Sequence, residues 1–314
     1  MTLETSVVAI LKEAAPNSSL DLSLVNIDHQ RKQNELRCLQ YDIPQVDVWK
    51  EERVAIDGPL EKIPLRIYWP SEAEHNKKLT MLVFYHGGGW VFGSLNMFDN
   101  FSRHLCKYGK TIVVSVGYRL APEHKFPAAV DDSYTALEWV SENAFRLGGD
   151  VNKLCVGGDS AGGNLAAVMC HLVNSHNGQK LHRQLLFYPW LALHNNHGYR
   201  SRWTYGSGEY PLPTRVLNTL RDLYARSEKD YEDLRFSPIL AESFESLPEA
   251  LIIIPEYDPL RDEGEEYGKR MHKAGVSVDC RIYQGVTHGF VSQAGRVGVG
   301  LEALNDATLF LRKA

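Results

Sequence analysis

Short apolar runs along the chain alternate with longer segments of helical periodicity. From about residue 46 onwards, eight runs rich in β-branched and aromatic residues are bounded by Gly or Pro, a pattern typical of β-strands. These runs are VWKEERVAI (48–56), LRIYW (65–69), TMLVFY (80–85), TIVVSVGY (111–118), KLCVGG (153–158), RQLLFY (183–188), EALIII (249–254) and VSVDCRIY (276–283). Several of the central ones are apolar at consecutive positions, which predicts strands buried on both faces, as in a parallel sheet.

Segments with apolar residues at helical spacing separate many of these strands. They cover 128–143, 161–173, 263–275 and 301–313, and two more, 3–14 and 22–39, precede the first strand with a break at Pro16 and Asn17. Such alternation predicts an α/β fold with a mostly parallel sheet of about eight strands and helices on both faces. The segment 194–236 interrupts the alternation, and we interpret it as an insertion over one end of the sheet.

Composition and charge exclude several classes of protein. The chain has 314 residues and a formal net charge of −5, without any block of Lys or Arg, so we expect no nucleic-acid partner and no binding to anionic lipid. No apolar run is long enough to cross a bilayer, and the acidic N-terminus does not resemble an export signal. The absence of repeats or linkers favours a single domain over 1–314.

The five cysteines support an intracellular location. They are odd in number, dispersed and without a CxxC pair, at Cys38, Cys106, Cys155, Cys170 and Cys280. This pattern favours reduced thiols, and therefore a cytoplasmic protein, over a disulfide framework.

A candidate nucleophile lies between the strand 153–158 and the helix 161–173. Gly158-Asp159-Ser160-Ala161-Gly162 matches G-x-S-x-G, and a sharp strand-to-helix turn at Ser160 would lift its hydroxyl to the surface beside a helix N-terminus. We expect glycine at 158 and 162 because side chains there would collide with the serine. The alternative is a glycine-rich helix N-cap in which Ser160 only accepts backbone hydrogen bonds.

The run His86-Gly87-Gly88-Gly89-Trp90 directly follows the strand 80–85. Consecutive glycines let backbone N–H groups approach a substrate closely, as the stabilisation of an oxyanion requires. We therefore interpret HGGG as an oxyanion loop, with the N–H of Ala161 as a further donor. A flexible turn is the alternative for this run alone.

Four motifs together resemble one family. HGGGW (86–90), YRLAPEHKFPAAVDD (118–132), GDSAGGN (158–164) and DPLRDEG (258–264) are similar to the hormone-sensitive-lipase family of α/β-hydrolase esterases. The resemblance runs from about residue 46 to the C-terminus and implies an α/β-hydrolase fold, hydrolysis of carboxylic esters, and no metal or organic cofactor. It also implies a helical cap, formed by 1–45 and 194–236, over a catalytic core of 46–193 and 237–314.

A serine nucleophile needs a base and an acid, which follow it in the order acid, then histidine in this fold. Asp258 lies in the turn that follows the strand 249–254. The residues alone favour a helix N-cap there, whereas the resemblance implies the triad acid. Glu256 and Asp262 are its local competitors. His288 is the histidine of the last strand-to-helix loop and is the expected base, with His272, in a helix, as the alternative.

The remaining site residues have supporting roles. Ser160 attacks the acyl carbon, and Gly88, Gly89 and Ala161 donate to the oxyanion. His86 is expected to brace the oxyanion loop together with Gly87, and the resemblance implies that Asp159 fixes the turn at Ser160. Further expectations are an ion pair of Arg119 with the acidic pair 131–132, and aromatic pocket or packing residues Trp90, Phe92, Trp203, Tyr205 and Tyr210.

These observations predict a carboxylester hydrolase that acts on small to medium apolar esters through an acyl-enzyme. Three alternatives stay open: an amidase of the arylacetamide-deacetylase type, a non-catalytic small-molecule receptor on the same fold, and a true lipase. The receptor is disfavoured because His288 is present, and the lipase because the segment 28–35 is polar. If 276–283 is the edge strand of the sheet, pairing of two copies there would form a homodimer.

Overall fold

Eight strands form one sheet, and each of them corresponds to one of the runs predicted above. The structure, a computed structural model, describes residues 2–14, 26–71, 78–175, 178–194 and 198–313. The strands are β1 (Lys50–Asp57), β2 (Lys62–Trp69), β3 (Leu79–Tyr85), β4 (Ile112–Val116), β5 (Gly149–Asp159), β6 (Arg183–Phe187), β7 (Glu249–Tyr257) and β8 (Val278–Thr287). Their order across the sheet is β1-β2-β4-β3-β5-β6-β7-β8.

The expectation of a mostly parallel sheet is confirmed. Strand β2 is antiparallel to both β1 and β4, whereas all the pairs from β4 to β8 are parallel. The reversal at β2 follows from the short link 58–61, because adjacent strands joined so tightly must run in opposite directions. Strand β8 lies at an edge of the sheet, as the interpretation of 276–283 required.

The helices alternate with the strands after β3. In chain order they are α1 (Thr5–Ala14), α2 (Ile27–Leu39), α3 (Asp99–Gly109), α4 (Ala128–Glu142), α5 (Ala144–Leu147), α6 (Ala161–Ser175), α7 (Ser201–Thr204), α8 (Thr214–Tyr224), α9 (Arg261–Lys273) and α10 (Gly298–Arg312). Short 3₁₀ turns cover Glu228–Glu232, Pro238–Leu240 and Phe290–Gln293. The predicted break at Pro16 and Asn17, and the start of the second predicted helix, lie outside the described residues.

The sequence prediction missed helix α3 as well as the one-turn helices α5 and α7. The buried stripe of α3 is short, with Phe101, Leu105 and Cys106 as its main apolar members, and its polar first turn resembles a loop. The neighbouring strands β3 and β4 are parallel, and such a pair needs a crossover that is usually a helix. The connection between them was therefore the signal that could have revealed α3.

The core is divided by the sheet into two layers. Along β3, Met81, Val83 and Tyr85 face the layer that is covered by α4, α6, α8 and α9. Leu82 and Phe84 face the opposite layer, under α1, α3 and α10. Helices on both faces leave the carboxyl ends of the strands open, where loops can assemble a site. None of the described helices has the length and apolarity that a bilayer span requires.

Candidate active site

Ser160 occupies a tight turn between β5 and α6. Its φ of 54° is in the left-handed region, where a residue with a side chain is strained. Backbone hydrogen bonds hold it there: its N–H donates to Phe187 O (2.9 Å), and its carbonyl accepts from Trp190 N–H (3.1 Å) and Asn164 N–H (3.0 Å). The predicted strand-to-helix turn is present, and the surrounding chain fixes it.

Gly158 and Gly162 are required by close backbone packing. A Cβ on Gly158 would collide with the carbonyl group of Gly162, and one on Gly162 would collide with the carbonyl oxygen of Tyr85. The expectation that these positions need glycine is confirmed, but the reason differs, because the nearest clashes involve Tyr85 and the two glycines rather than Ser160. The elbow therefore packs directly on the end of β3.

Three side chains from different strand ends form one hydrogen-bonded chain. His288 Nε2 lies 2.9 Å from Ser160 Oγ, and His288 Nδ1 lies 2.8 Å from Asp258 Oδ2. Since a carboxylate only accepts, Nδ1 carries the proton and Nε2 is left with its lone pair toward the serine hydroxyl. The imidazole is thus held in the tautomer that can accept a proton from Ser160.

Asp258 lies in the turn before α9 beside His288, but it is not the helix N-cap considered from the sequence, because that position is held by Leu260. Asp258 is fully buried; Oδ2 meets His288, and Oδ1 accepts the N–H of Leu260 at 2.8 Å, in the turn before α9. The competitors are engaged elsewhere, since Glu256 accepts the N–H of Gly285 (2.8 Å) and Asp262 accepts that of Ser201 (2.8 Å). The other candidate base, His272, lies exposed on α9.

The HGGG segment runs beside this chain with its glycines in unusual conformations. Gly88 and Gly89 have φ values of 115° and 61°, which glycine adopts without strain. In the part of the chain that the structure describes, the N–H groups of Gly88, Gly89 and Ala161 donate to no protein acceptor. Gly87 differs, because its N–H donates to Asp159 Oδ1 at 2.6 Å, and this bond makes Gly87 a support of the loop.

His86 holds the start of this loop. Its Nδ1 lies 2.8 Å from the carbonyl oxygen of Gly87, to which it donates, and its ring stacks on Tyr118 at 4.3 Å between centroids. The Tyr118 hydroxyl donates to His86 O at 2.6 Å. Burial lowers the pKa of His86 to about 4, so the ring is neutral at pH 7 and acts as a brace.

Asp159, beside the nucleophile, is a buried carboxyl group that points at Gly87 rather than at His288. Burial raises its pKa to about 7, while the hydrogen bond from Gly87 N–H acts in the opposite direction. A Cβ on Gly87 would collide with this carboxyl group. Asp159 and Gly87 therefore join the nucleophile turn to the oxyanion loop through one short contact.

Arg119 and Trp90, which were also considered from the sequence, make structural contacts. Arg119 forms a buried ion pair with Asp132 (2.7 Å between Nη2 and Oδ1), whereas Asp131 is only partly buried. Trp90 is fully buried and stacks on Tyr224 of α8 at 4.4 Å between ring centroids.

The remaining aromatic candidates lie closer to the surface. Tyr205 and Tyr210 pack against Tyr257 at 5.6 Å and 5.5 Å between ring centroids. Trp203 is 73% exposed, and Phe92 is partly buried.

Two contacts of the site were missed by sequence reasoning. The ring of Tyr188 lies 4.8 Å from that of His288, centroid to centroid, and Leu220 of α8 packs over Gly89. Tyr188 follows the strand 183–187 directly, and side chains at such strand ends are candidates for the site. Leu220 carries no comparable signal, since its apolar position on α8 is typical of any amphipathic helix.

Known proteins match both the sequence and the fold. Residues 82–292 match a family model described as the alpha/beta hydrolase fold. The carboxylic ester hydrolase LipN of Mycobacterium tuberculosis is 42% identical, over 86% of this chain and 71% of that protein. The carboxylesterase NlhH of the same species is 38% identical, over 87% and 84% of the two chains.

A solved structure covers the whole length. The hyperthermophilic esterase of the archaeon Pyrobaculum calidifontis superposes with a TM-score of 0.93 and 36% identity, over 100% of this chain and 99% of that one. The family model and the relatives agree with this structural match in describing an α/β-hydrolase fold and ester hydrolysis. The chain belongs to the α/β-hydrolase family, and within it to the hormone-sensitive-lipase group of ester-hydrolysing enzymes.

Proposed function

We propose that this protein hydrolyses carboxylic esters with Ser160 as nucleophile, His288 as general base and Asp258 as the orienting acid. The observation that carries the proposal is the unbroken hydrogen-bonded chain from Ser160 Oγ through both ring nitrogens of His288 to the buried Asp258. Nucleophile, base and orienting group within hydrogen-bond reach of one another are the requirements of this chemistry. The similarity to LipN and NlhH, which are named as a carboxylic ester hydrolase and a carboxylesterase, supports it.

The geometry supports a two-stage reaction. Ser160 Oγ attacks the acyl carbon while its proton passes to His288 Nε2, and Asp258 stabilises the imidazolium that forms. The tetrahedral intermediate collapses, the proton moves from His288 to the leaving alkoxide, and the alcohol departs. Water then attacks the acyl-enzyme with His288 again as base, which releases the acid and restores Ser160.

The oxyanion of each intermediate is placed among the N–H groups of Gly88, Gly89 and Ala161. They lie on two segments beside Ser160 and donate to no protein acceptor in the described part of the chain. Ala161 is also the first residue of α6, so its N–H lies at the positive end of the helix dipole. One such donor contributes about 3 to 4 kcal/mol to the transition state.

Esters of small to medium apolar acids are the proposed substrates. We further infer that 1–45 and 194–236 form a cap over the core 46–193 and 237–314. Two contacts support this, from Arg31 of α2 to Val91 O at 2.8 Å and from Leu220 of α8 to Gly89. One cap segment therefore touches the oxyanion loop, and the other touches Val91, two residues after it.

A homodimer and a cytoplasmic location are part of the proposal. Strand β8 is the last strand of the sheet, with β7 as its neighbouring strand. Among the described residues, Glu4 donates its N–H to Gly285 O near the end of β8 (2.9 Å). A strand at the edge of a sheet can pair with that of a second copy, and sedimentation at micromolar concentration tests this. All five cysteines are free thiols, which supports a reducing compartment.

The test is hydrolysis of chromogenic esters, from acetyl to long acyl chains, by wild type and Ser160→Ala. Ser175→Ala is the matched control, because Ser175 is exposed at the far end of the same helix α6. We expect turnover that falls with chain length, is lost in Ser160→Ala and is unchanged in Ser175→Ala. An organophosphonate should label wild type once, at Ser160, as measured by mass spectrometry.

Two results would contradict the proposal. Retained turnover in Ser160→Ala would require another nucleophile, and a wild type that neither turns over any ester nor reacts with the phosphonate would favour a binding role on this fold. A matching amide series extends the assay. Amide turnover that exceeds ester turnover would move the substrate class to the amidase alternative.

A further inference from the structure

Helix α2 is attached to the rest of the protein mainly by polar contacts. None of its residues is buried, and Leu36 and Leu39 are 49% and 42% exposed. Ile27, at its N-terminal end, is partly buried and packs on the core, but a helix without a fully buried apolar face gains little from the hydrophobic effect. Its position must therefore depend on the specific hydrogen bonds and ion pairs that it makes.

Arg31 supplies most of those bonds, and all five of its N–H donors are used. Nε donates to Val91 O (2.8 Å), and Nη2 donates to Ala121 O (2.8 Å). The two terminal nitrogens also form a bidentate pair with Glu123, each at 2.8 Å, and Nη1 reaches Asp28 at 3.3 Å. A planar guanidinium forked over a carboxylate is among the stronger and more directional contacts in proteins.

Arg31 binds the carbonyl groups of Val91 and Ala121, and the two segments that carry these residues are hydrogen-bonded to each other. Ala121 N–H donates to Trp90 O at 2.8 Å, and Gly88 O accepts the N–H groups of Val91 (3.2 Å) and Phe92 (2.9 Å). Val91 is thus hydrogen-bonded to the backbone of the oxyanion loop through its N–H and to Arg31 through its carbonyl. A shift of Arg31 would be transmitted to Gly88 across a single residue.

Glu35 extends the same contact one helical turn further along α2. Its Oε2 accepts the Ser94 hydroxyl at 3.1 Å, and its Oε1 accepts from Asn96 Nδ2 at 3.5 Å. Residues 31 and 35 lie on the same face of the helix. This face therefore covers the chain from Val91 to Asn96, which leads away from the oxyanion loop.

We propose that Arg31 is a positioning residue for the oxyanion donors, and that it acts by holding the backbone at Val91 and Ala121 in place. This inference rests on the proposed function, in which Gly88 and Gly89 donate to the oxyanion. Glycine backbone is flexible, so donors on consecutive glycines stay aligned only when neighbouring groups fix them. Arg31 connects the cap to catalysis without touching the substrate.

The test compares Arg31→Gln with the matched control Arg37→Gln. Arg37 lies on the same helix but is exposed, and its guanidinium donates to Asn34 of α2 itself (3.0 Å). Because the donors act in the transition state, Arg31→Gln should lower kcat for a short-chain ester about tenfold or more and change KM less than twofold. Arg37→Gln should leave both constants unchanged.

Two further variants separate the parts of the contact. Glu123→Gln removes the ion pair but leaves the bonds from Arg31 to Val91 O and Ala121 O, so its kcat should fall less than that of Arg31→Gln. Arg31→Lys keeps the charge but has no fork, and should recover only part of the lost kcat. If only the charge of Arg31 mattered, Arg31→Lys would recover the full kcat of wild type.

Hydrogen exchange provides a readout that does not depend on turnover. The amides of residues 87–93 should exchange faster in Arg31→Gln than in wild type or Arg37→Gln, because this loop loses an anchor. Unchanged kcat together with unchanged exchange would overturn the inference, as would a rise in KM alone. If wild type hydrolyses no ester, the proposed function fails, and the exchange data still decide whether Arg31 holds the loop.

Discussion

Replacement of Asp159 by asparagine should change how the stability of the protein depends on pH. Burial raises the pKa of Asp159 in the folded protein to about 7, from an ordinary value of 3.8. A raised carboxyl pKa means that the folded state binds the proton more tightly than the unfolded state. The contribution of protonated Asp159 to the free energy of unfolding is therefore fully present below pH 4 and is lost as the pH rises through about 7.

The size of the effect follows from the two pKa values. A shift from 3.8 to about 7 corresponds to about 4 kcal/mol over the full pH range. Between pH 5 and pH 9, linkage predicts that the wild type loses about 2 to 3 kcal/mol of unfolding free energy through this group. An asparagine side chain does not titrate, and its amide oxygen can still accept the N–H of Gly87, so the variant lacks this loss.

The assay is urea unfolding of wild type and Asp159→Asn at pH 5, 7 and 9. The variant should become more stable relative to wild type by about 2 to 3 kcal/mol across this range. Asp47→Asn is the control, because Asp47 is exposed, and its difference from wild type should stay constant. A difference for Asp159→Asn that is flat with pH, or that falls, would show that burial does not govern this carboxyl group.

Three further substitutions test other parts of the structure. Gly162→Ala should cost at least about 3 kcal/mol of unfolding free energy, because its Cβ would collide with backbone atoms. The control is Gly298→Ala, whose Cβ meets nothing within 4 Å and which should change the unfolding free energy by less than about 1 kcal/mol. Equal effects of the two substitutions would contradict this packing. Arg202→Met leaves the buried Glu263 without its partner at 2.6 Å and should cost about 3 to 5 kcal/mol in urea unfolding. Adding Glu263→Gln should recover part of this loss, because its amide oxygen can still accept the N–H groups of Leu191 and Ala192. His288→Gln should lower kcat by about 10⁴-fold or more in the ester assay with the folding transition retained, and substantial activity would require another base.

Local pattern was sufficient to predict the strands and the serine turn. A strand-turn-helix sequence with glycines two residues before and after Ser160 has few other solutions, and the structure shows why, since Gly158 and Gly162 pack on backbone. The meeting of Ser160, Asp258 and His288 was also predictable in part. All three follow strands of a parallel sheet, and the carboxyl ends of such strands share one edge.

Other features depend on contacts that local sequence does not encode. Asp258 could not be assigned from its neighbours because its two oxygens serve two roles, one in the turn before α9 and one toward His288. Arg31 and Val91 lie 60 positions apart, so no motif joins them. For the insertion, the resemblance implied a helical cap, but local sequence could not show that Leu220 of α8 would lie over Gly89.

The oxyanion loop is held in place by residues that its own sequence motif does not contain. In the proposed function, three glycines give backbone N–H groups access to a substrate oxygen, but the same freedom would leave those groups disordered. The structure compensates with contacts from separate parts of the chain: His86 and Gly87 are held by Tyr118 and Asp159, Val91 by Arg31, and Gly89 by packing from α8. Two of these contacts come from the proposed cap, so its sequence should affect kcat as well as substrate choice.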